Sequence, residues 1–297
     1  MLRLVIDGNN LAYRNYSVMK ALSDRFGRPT GTAYGFLTSL HTMVRAFKPG
    51  AVIVCWDGGR AKWRLKLYPE YKQNRKKDNT SDYPEQLRIL KEGLEYLNIC
   101  TLTVSDIEAD DLVGILTAEF EAASSKTLIV STDKDFYQLL SSQIALFKKG
   151  VELFTRKSFC LDYGIQPNAW PDVRALVGDA SDNIQGVPSI GEKRALDLIR
   201  LYGSIDGILL NGNDSKQTKV IMQYQDIALR NRRLIMLPRS TKDPVVFQAV
   251  IDAKKAKMSG IDLKGLAHYC NRYNISSIAN MLNVWEYDFQ QREALCA

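Results

Sequence analysis

Leu2-Arg3-Leu4-Val5-Ile6-Asp7 opens the chain with a short, mostly apolar run that stops at an aspartate. Two later stretches repeat the device: Ala51–Trp56 stops at Asp57, and Leu128–Thr132 stops at Asp133. Runs of this length, rich in valine and isoleucine, read as buried strands of a mainly parallel sheet. Helical spacing lies between them, over Thr32–Ala46, Pro84–Leu97 and Ala109–Ala122. Strand alternating with helix predicts an α/β, doubly wound architecture. In such sheets ligands gather at the carboxyl ends of the strands, where these three aspartates fall.

The 297 residues are 45% hydrophobic and 25% charged, enough for one sizeable core with a smaller lobe and unlike a disordered chain. A net charge of +7 points to a polyanionic partner, either nucleic acid or an acidic membrane surface. No apolar run reaches the roughly 18–20 residues of a membrane span, and the first strand is too short for a signal segment. Five scattered cysteines (Cys55, Cys100, Cys160, Cys270, Cys296) contain no CxxC pair. They indicate neither a zinc site nor a disulfide framework, and they fit reduced thiols in the cytoplasm. The two histidines, His41 and His268, lie far apart, and His41 falls in an apolar helical pattern. Carboxylates must therefore carry any metal.

The segment after Asp57 changes character. Arg60, Lys62, Arg64, Lys66, Lys72, Arg75, Lys76 and Lys77 face only Glu70 and Asp78, a local excess of six positive charges. A charge run alone reads as a solvated loop. Here Trp63, Tyr68 and Tyr71 are interleaved with the cations, and gripping a single strand requires both: rings stack on bases while cations pair with phosphates.

Acids recur in small-residue or apolar contexts. Glu108-Ala109-Asp110-Asp111 opens a helical pattern, and Glu108 and Asp111, three apart, share one side of its first turn. Asp133-Lys134-Asp135 follows the third strand, and Gly178-Asp179-Ala180-Ser181-Asp182-Asn183 lies at the junction with a helical lobe that begins near Pro167. Singly, each piece reads as a helix cap or a turn. Jointly, Asp7, Asp57, Glu108, Asp110, Asp111, Asp133, Asp135, Asp179 and Asp182 would converge on one end of one sheet. So many carboxylates stay ionised together only if cations neutralise them. Oxygen-only ligation selects Mg²⁺, with Mn²⁺ as a substitute. A pair of such ions about 3.5–4 Å apart serves phosphodiester hydrolysis.

With these residues assembled, the sequence resembles the 5′ nuclease (flap endonuclease) family, above all the amino-terminal domain of bacterial DNA polymerase I and free-standing bacteriophage counterparts. The resemblance runs from Leu4 to about Arg239. Its motifs are Val5–Asn10, Gly31–Phe36, Pro69–Arg75, Glu108–Asp111, Ser131–Leu140, Gly178–Asn183 and Gly186–Lys193. It implies that Asp7, Asp57, Glu108, Asp110, Asp111 and Asp133 form an inner metal cluster, and Asp135, Asp179 and Asp182 an outer one, for two or three ions. It implies a PIN-like core over residues 1–165, with a helical arch at about 60–84 that a 5′ single strand threads. Lys72 and Arg75 would contact the scissile phosphate, Tyr71 would stack on a base, and Lys76 and Lys77 would add phosphate contacts. Residues 166–240 would form a helix-hairpin-helix lobe. There Gly186 and Gly191 let the backbone approach duplex DNA, Lys193 and Arg194 add salt-dependent affinity, and K⁺ can bind. Residues 241–297 match nothing in the resemblance, and their amphipathic segments Ile261–Cys270 and Ile275–Val284 read as a helical cap.

The expected activity is thus a stand-alone, structure-specific 5′-3′ exonuclease and flap endonuclease. It would be monomeric and cytoplasmic, bind DNA and no membrane, work in primer removal during replication, and admit an RNA-primed 5′ strand. Two rivals belong to other classes. A PIN-like ribonuclease would need neither arch nor hairpin, and a non-catalytic DNA-junction binder would bind without regard to metals or to the acids.

Overall fold

The computed structural model describes residues 1–75, 80–148, 153–212, 215–258, 260–275 and 277–278. β1 (Leu2–Asp7), β2 (Ala51–Trp56), β3 (Cys100–Thr103), β4 (Lys126–Val130), β5 (Ile144–Phe147) and β6 (Leu153–Phe154) form one sheet in the order β3-β2-β1-β4-β5-β6. All neighbours pair in parallel except β6, which runs antiparallel to β5. The chain runs outward from β1 to β3 on one side and resumes at β4 on the other. The order therefore reverses between β1 and β4, the crevice where open α/β sheets bind ligands.

α1 (Gly8–Met19), α2 (Gly31–Phe47), α3 (Lys62–Leu67), α4 (Tyr83–Glu95) and α5 (Ala109–Ala122) connect the first four strands. Alternation along the strands divides the interior. Leu4, Ile6, Val52, Val54, Leu128 and Val130 face α2 and α4, whereas Val5, Ile53 and Ile129 face α5. Both faces are buried, so the strands read as continuous apolar runs. The strand expected over Leu128–Thr132 ends at Val130. Ser131 and Thr132 instead turn toward α1: the Ser131 hydroxyl donates to Asp7, and the Thr132 N–H donates to Asn10 Oδ1. β3, β5 and β6 went unforeseen, being short and in part exposed.

Beyond the sheet follow α6 (Arg156–Tyr163), α7 (Trp170–Val177), a ribbon of β7 (Gly178–Asp179) and β8 (Ile184–Gln185), then α8 (Glu192–Tyr202), α9 (Ile205–Asn211), α10 (Lys216–Gln223) and α11 (Gln225–Ile235). Their apolar faces continue the α5-side core through Val173, Leu176, Ile199, Ile208 and Leu234. Buried Asn231 ties the lobe together, donating to the carbonyls of Ala175 (3.0 Å) and Gln185 (2.7 Å).

The chain then returns to the sheet. α12 (Pro244–Lys255) packs on α5 and β3, and Arg3 Nη1 donates to Ala253 O at 3.0 Å. α13 (Leu263–Arg272) lies on α4, where Tyr269 donates to Ile89 O. A Cβ at Gly93 would come within 2.7 Å of the Tyr269 ring, so only glycine permits this contact. Of the amphipathic pattern expected over Ile275–Val284, residues 276 and 279–284 lie outside the described residues. No helix among the described residues is long and apolar enough to cross a membrane.

Candidate metal and nucleic-acid site

The acids meet at the carboxyl ends of β1, β2 and β4. Asp7 ends β1 and caps α1, accepting from Asn10 N at 3.1 Å and from Ser131 Oγ at 3.1 Å. Asp57 follows β2; its N–H donates to Asn9 Oδ1, and its carboxylate accepts from Ala109 N, the first amide of α5, at 2.8 Å. Glu108 is the extended residue before α5. Asp133 caps the 3₁₀ turn Lys134–Leu139 by accepting from Asp135 N at 2.8 Å. Asp179 ends β7 and accepts from Ser181 N, also at 2.8 Å.

Cations knit these acids together. Arg64 Nη1 donates to Glu108 Oε2 (2.8 Å) and Asp111 Oδ2 (3.0 Å), while Nη2 lies 3.4 Å from Asp110 and 2.8 Å from Asp111 Oδ1. Lys72 Nζ donates to Glu108 Oε1 at 2.8 Å, and Arg75 Nη2 to Asp182 Oδ1 at 2.5 Å. Arg174 bridges Asp135 (3.1 Å) and Asp179 (2.5 Å). All nine predicted acids thus belong to one electrostatic cluster: Asp7 interacts with Asp57 and Asp133, Asp133 with Asp110 and Asp182, and Asp135 with Asp179.

Nine carboxyl groups outnumber these four cations by five. Their crowding shows in proton affinity. Burial, then the charges of Asp57 and Asp133, raise Asp7 to about 7 against the hydrogen bond from Asn10. Burial and Asp110 raise Asp111 to about 7 despite Arg64, and burial and Asp133 raise Asp135 to about 7 despite Arg174. Asp57, Asp133 and Asp182 are also raised, chiefly by burial. Burial opposes the charge of Arg64, but Asp110 and Asp111 outweigh it and hold its proton more firmly than usual.

Among the described residues, no three His, Cys, Asp or Glu side chains stand arranged to hold one ion as they are; guanidinium and ammonium groups lie between them instead. The donor set nonetheless fits a hard divalent cation. It is all oxygen, its carboxyl groups outnumber its cations, and burial together with neighbouring like charges raises the proton affinity of several acids, a penalty that a bound cation would relieve.

Two expectations need correction. Tyr71 is buried, 2% exposed, so its ring offers no face to a base; its hydroxyl donates instead to Glu108 (2.8 Å) and sits 3.2 Å from Asp182. Arg64, counted among the strand-gripping cations, is also 2% exposed and belongs to the acids. The interleaved rings serve the chain's own cations: Trp63 carries Arg64 at 4.5 Å, and Tyr68 carries Arg230 at 4.3 Å. The segment from Tyr68 to Arg75 lies across the outer acids, with Lys72 N donating to Asp182 O and Asn74 Nδ2 to Ala180 O. Lys76 and Lys77 lie outside the described residues.

The glycine hairpin stands beside the outer acids, at the far end of the β7–β8 ribbon from Asp179. A Cβ at Gly186 would meet Val177 O at 2.1 Å, so glycine is needed there for packing within the lobe. Gly191, which leads into α8, has open space around its Cβ position. Lys193 and Arg194 are exposed on the first turn, with Arg194 donating to Ser189 O, and Val187 and Ile190 anchor the hairpin in the core.

Sequence reasoning missed Arg174, Asn9, Asn10 and the true place of Arg64. Arg174 did leave a signal: a lone cation on an apolar helix that runs directly into Gly178-Asp179.

Two family descriptions match the chain: the 5′-3′ exonuclease N-terminal resolvase-like domain over residues 3–164, and the 5′-3′ exonuclease C-terminal SAM fold over residues 165–258. A 5′-3′ exonuclease of Buchnera aphidicola is 34% identical over 93% of this chain and 96% of its own length. The thermostable DNA polymerase I of Thermus thermophilus is 37% identical over 70% of this chain, which spans only 25% of that polymerase. In fold, the T5 5′-exonuclease solved with bound zinc superposes with a TM-score of 0.74 at 21% identity, over 86% of this chain and 99% of that one.

Proposed function

The chain belongs to the 5′-3′ exonuclease family, and from that premise we propose that it hydrolyses phosphodiester bonds at the 5′ flaps and 5′ ends of DNA with Mg²⁺ held by the nine clustered acids. The observation that carries this reading is the convergence of Asp7, Asp57, Glu108, Asp111 and Asp133 at the switch point of the sheet, where they outnumber the cations paired with them, Arg64 and Lys72.

In this reading Asp7, Asp57, Glu108, Asp110, Asp111 and Asp133 form the inner cluster and Asp135, Asp179 and Asp182 the outer, which together would hold two or three Mg²⁺ ions, with Mn²⁺ as a substitute. Divalent ions held by these acids would supply the Lewis acidity that phosphodiester hydrolysis needs. The chain's own groups do the rest. Arg64 stays buried and fixes the α5 acids. Lys72 and Arg75, resting on Glu108 and Asp182, are the mobile cations that turn to the scissile phosphate and stabilise charge developing on it. The exposed turn at Gly191, Lys193 and Arg194 holds duplex phosphates without reading sequence, and the same hairpin takes K⁺. Lys76 and Lys77 extend the grip on the 5′ strand, the enzyme acts as a cytoplasmic monomer in primer removal, and an RNA-primed 5′ strand is a substrate.

A 5′-labelled flap, incubated with and without Mg²⁺, tests this. Metal-dependent release of the flap is expected. Its failure with folded chain would overturn the assignment, and preference for a matched RNA flap would favour a ribonuclease.

A further inference from the structure

The acid cluster has a back as well as a front, and the back forms one wall of a separate cavity of 660 Å³ where α5, the end of α11 and the start of α12 meet. Ile107, Ile115, Met236, Leu237, Pro238 and Val246 make its lining largely aliphatic. Trp63 and Asp111 also line it, and they are joined by the indole N–H donating to the carboxylate at 3.2 Å. Met236 in its wall is 49% exposed. An apolar recess with an exposed apolar side chain in its wall marks a binding surface.

The rim is basic. Arg239 is engaged by Glu121, but Arg233 and Lys242 are exposed and have no ion-pair partner among the described residues. Of the two acids that line the recess among the described residues, Asp111 is held by Arg64 and Trp63, and Asp243 caps α12 through Val245 N. Single-stranded DNA suits the recess poorly: among the described residues Trp63 is the one aromatic ring that lines it, and Arg64 already covers a face of that ring. Aliphatic walls favour an inserted aliphatic or aromatic side chain, and the free cations favour carboxylates around it.

We propose that this groove docks an acidic segment of a partner protein, which inserts an apolar side chain beside Trp63 and pairs its carboxylates with Arg233 and Lys242. The contact lies one hydrogen bond from Asp111, so an occupant touches the acid cluster through Trp63.

The test uses the full chain and a fluorescein-labelled peptide of about twelve residues, aspartates and glutamates surrounding two leucines and a phenylalanine, read by anisotropy. Saturable binding is expected, weakened about tenfold by Met236→Asp and by the double variant Arg233→Glu, Lys242→Glu. A peptide with lysine in place of every acid should not bind. Thermal melts confirm that each variant is folded, and should Met236→Asp unfold, the rim variant alone decides. Absence of binding overturns the proposal, as does binding indifferent to the rim variant. Oligothymidylate binding lost in the rim variant, or self-association lost in it, would assign the groove to nucleic acid or to a second copy and would equally overturn it.

Discussion

Arg64 and Asp111 face each other as a buried pair, 2% and 1% exposed, with Nη2 2.8 Å from Oδ1 and Nη1 3.0 Å from Oδ2. The guanidinium is a permanent internal counter-ion for α5, anchored from behind by donation from Nε to Leu234 O. Removing it leaves buried Asp111 without its charged partner and Glu108 with Lys72 and Tyr71 alone. Arg64→Met should therefore lower stability by about 3–5 kcal/mol in metal-free buffer, measured by urea unfolding. Saturating Mg²⁺ should restore part of the loss. A loss below about 1 kcal/mol would mean that the acids simply take up protons.

Lys72 and Lys193 should separate chemistry from binding. Lys72 reaches into the acids, so Lys72→Ala should slow flap cleavage about 10²–10³-fold and leave duplex affinity within about twofold. Lys193 is exposed on the α8 turn, so Lys193→Ala should weaken duplex binding and flatten the salt dependence by about 0.9 in log–log slope. Cleavage under single-turnover conditions and a salt titration of binding read the two effects. If both variants lost affinity alone, the division of roles would be wrong.

Proton linkage at Asp7, Asp111 and Asp135 runs opposite to that of a salt-bridged surface aspartate. Each titrates near 7 in the folded chain against about 3.8 ordinarily. Between those values the folded state holds protons that the unfolded state has released. Stability from these groups is thus full below about pH 4 and declines as pH rises toward 7. Mg²⁺ binds the ionised form, so its stabilisation should grow over the same interval. The rise in Tm on adding Mg²⁺ should be several degrees larger at pH 7.5 than at pH 5. An equal rise at both values would count against ion binding at these acids.

Gly93 tests what the carboxy-terminal helices do. Gly93→Ala pushes a methyl group into the Tyr269 ring. It should cost about 1–3 kcal/mol and loosen α13, detected by faster amide exchange there. Single-turnover cleavage by the folded fraction should stay within about twofold, because no residue of the acid cluster lies on α4 or α13. A large loss of cleavage rate would tie this end of the chain to the chemistry.

Legibility followed chemistry more than length. The parallel sheet was readable because Leu4–Ile6, Val52–Val54 and Leu128–Val130 are buried on both faces, so their sequences are apolar without interruption. β3 escaped because Cys100–Thr103 has only Leu102 fully buried and lies at the sheet edge. The acids were readable because an aspartate directly after a buried strand is an expensive residue with few roles. The cations that answer them were not. Arg64 sits in a run of eight similar charges, and nothing local distinguishes the one that turns inward from those that face solvent. Tyr71 misled for the same reason: an aromatic among cations looks alike whether it awaits a base or donates to a carboxylate.

The cluster acids do double duty as the starting blocks of the fold. Asp7 holds the first turn of α1, Asp57 the leading amide of α5, Asp133 the turn after β4, and Asp179 the turn after β7. Each carboxylate is thereby clamped by main-chain atoms, and its position is set by where a helix or turn begins. Asparagine in these places keeps the clamp and discards only the charge. A nudge of a few tenths of an ångström to α1 or α5, from whatever leans on their outer surfaces, would shift the charged groups in step and detune their spacing.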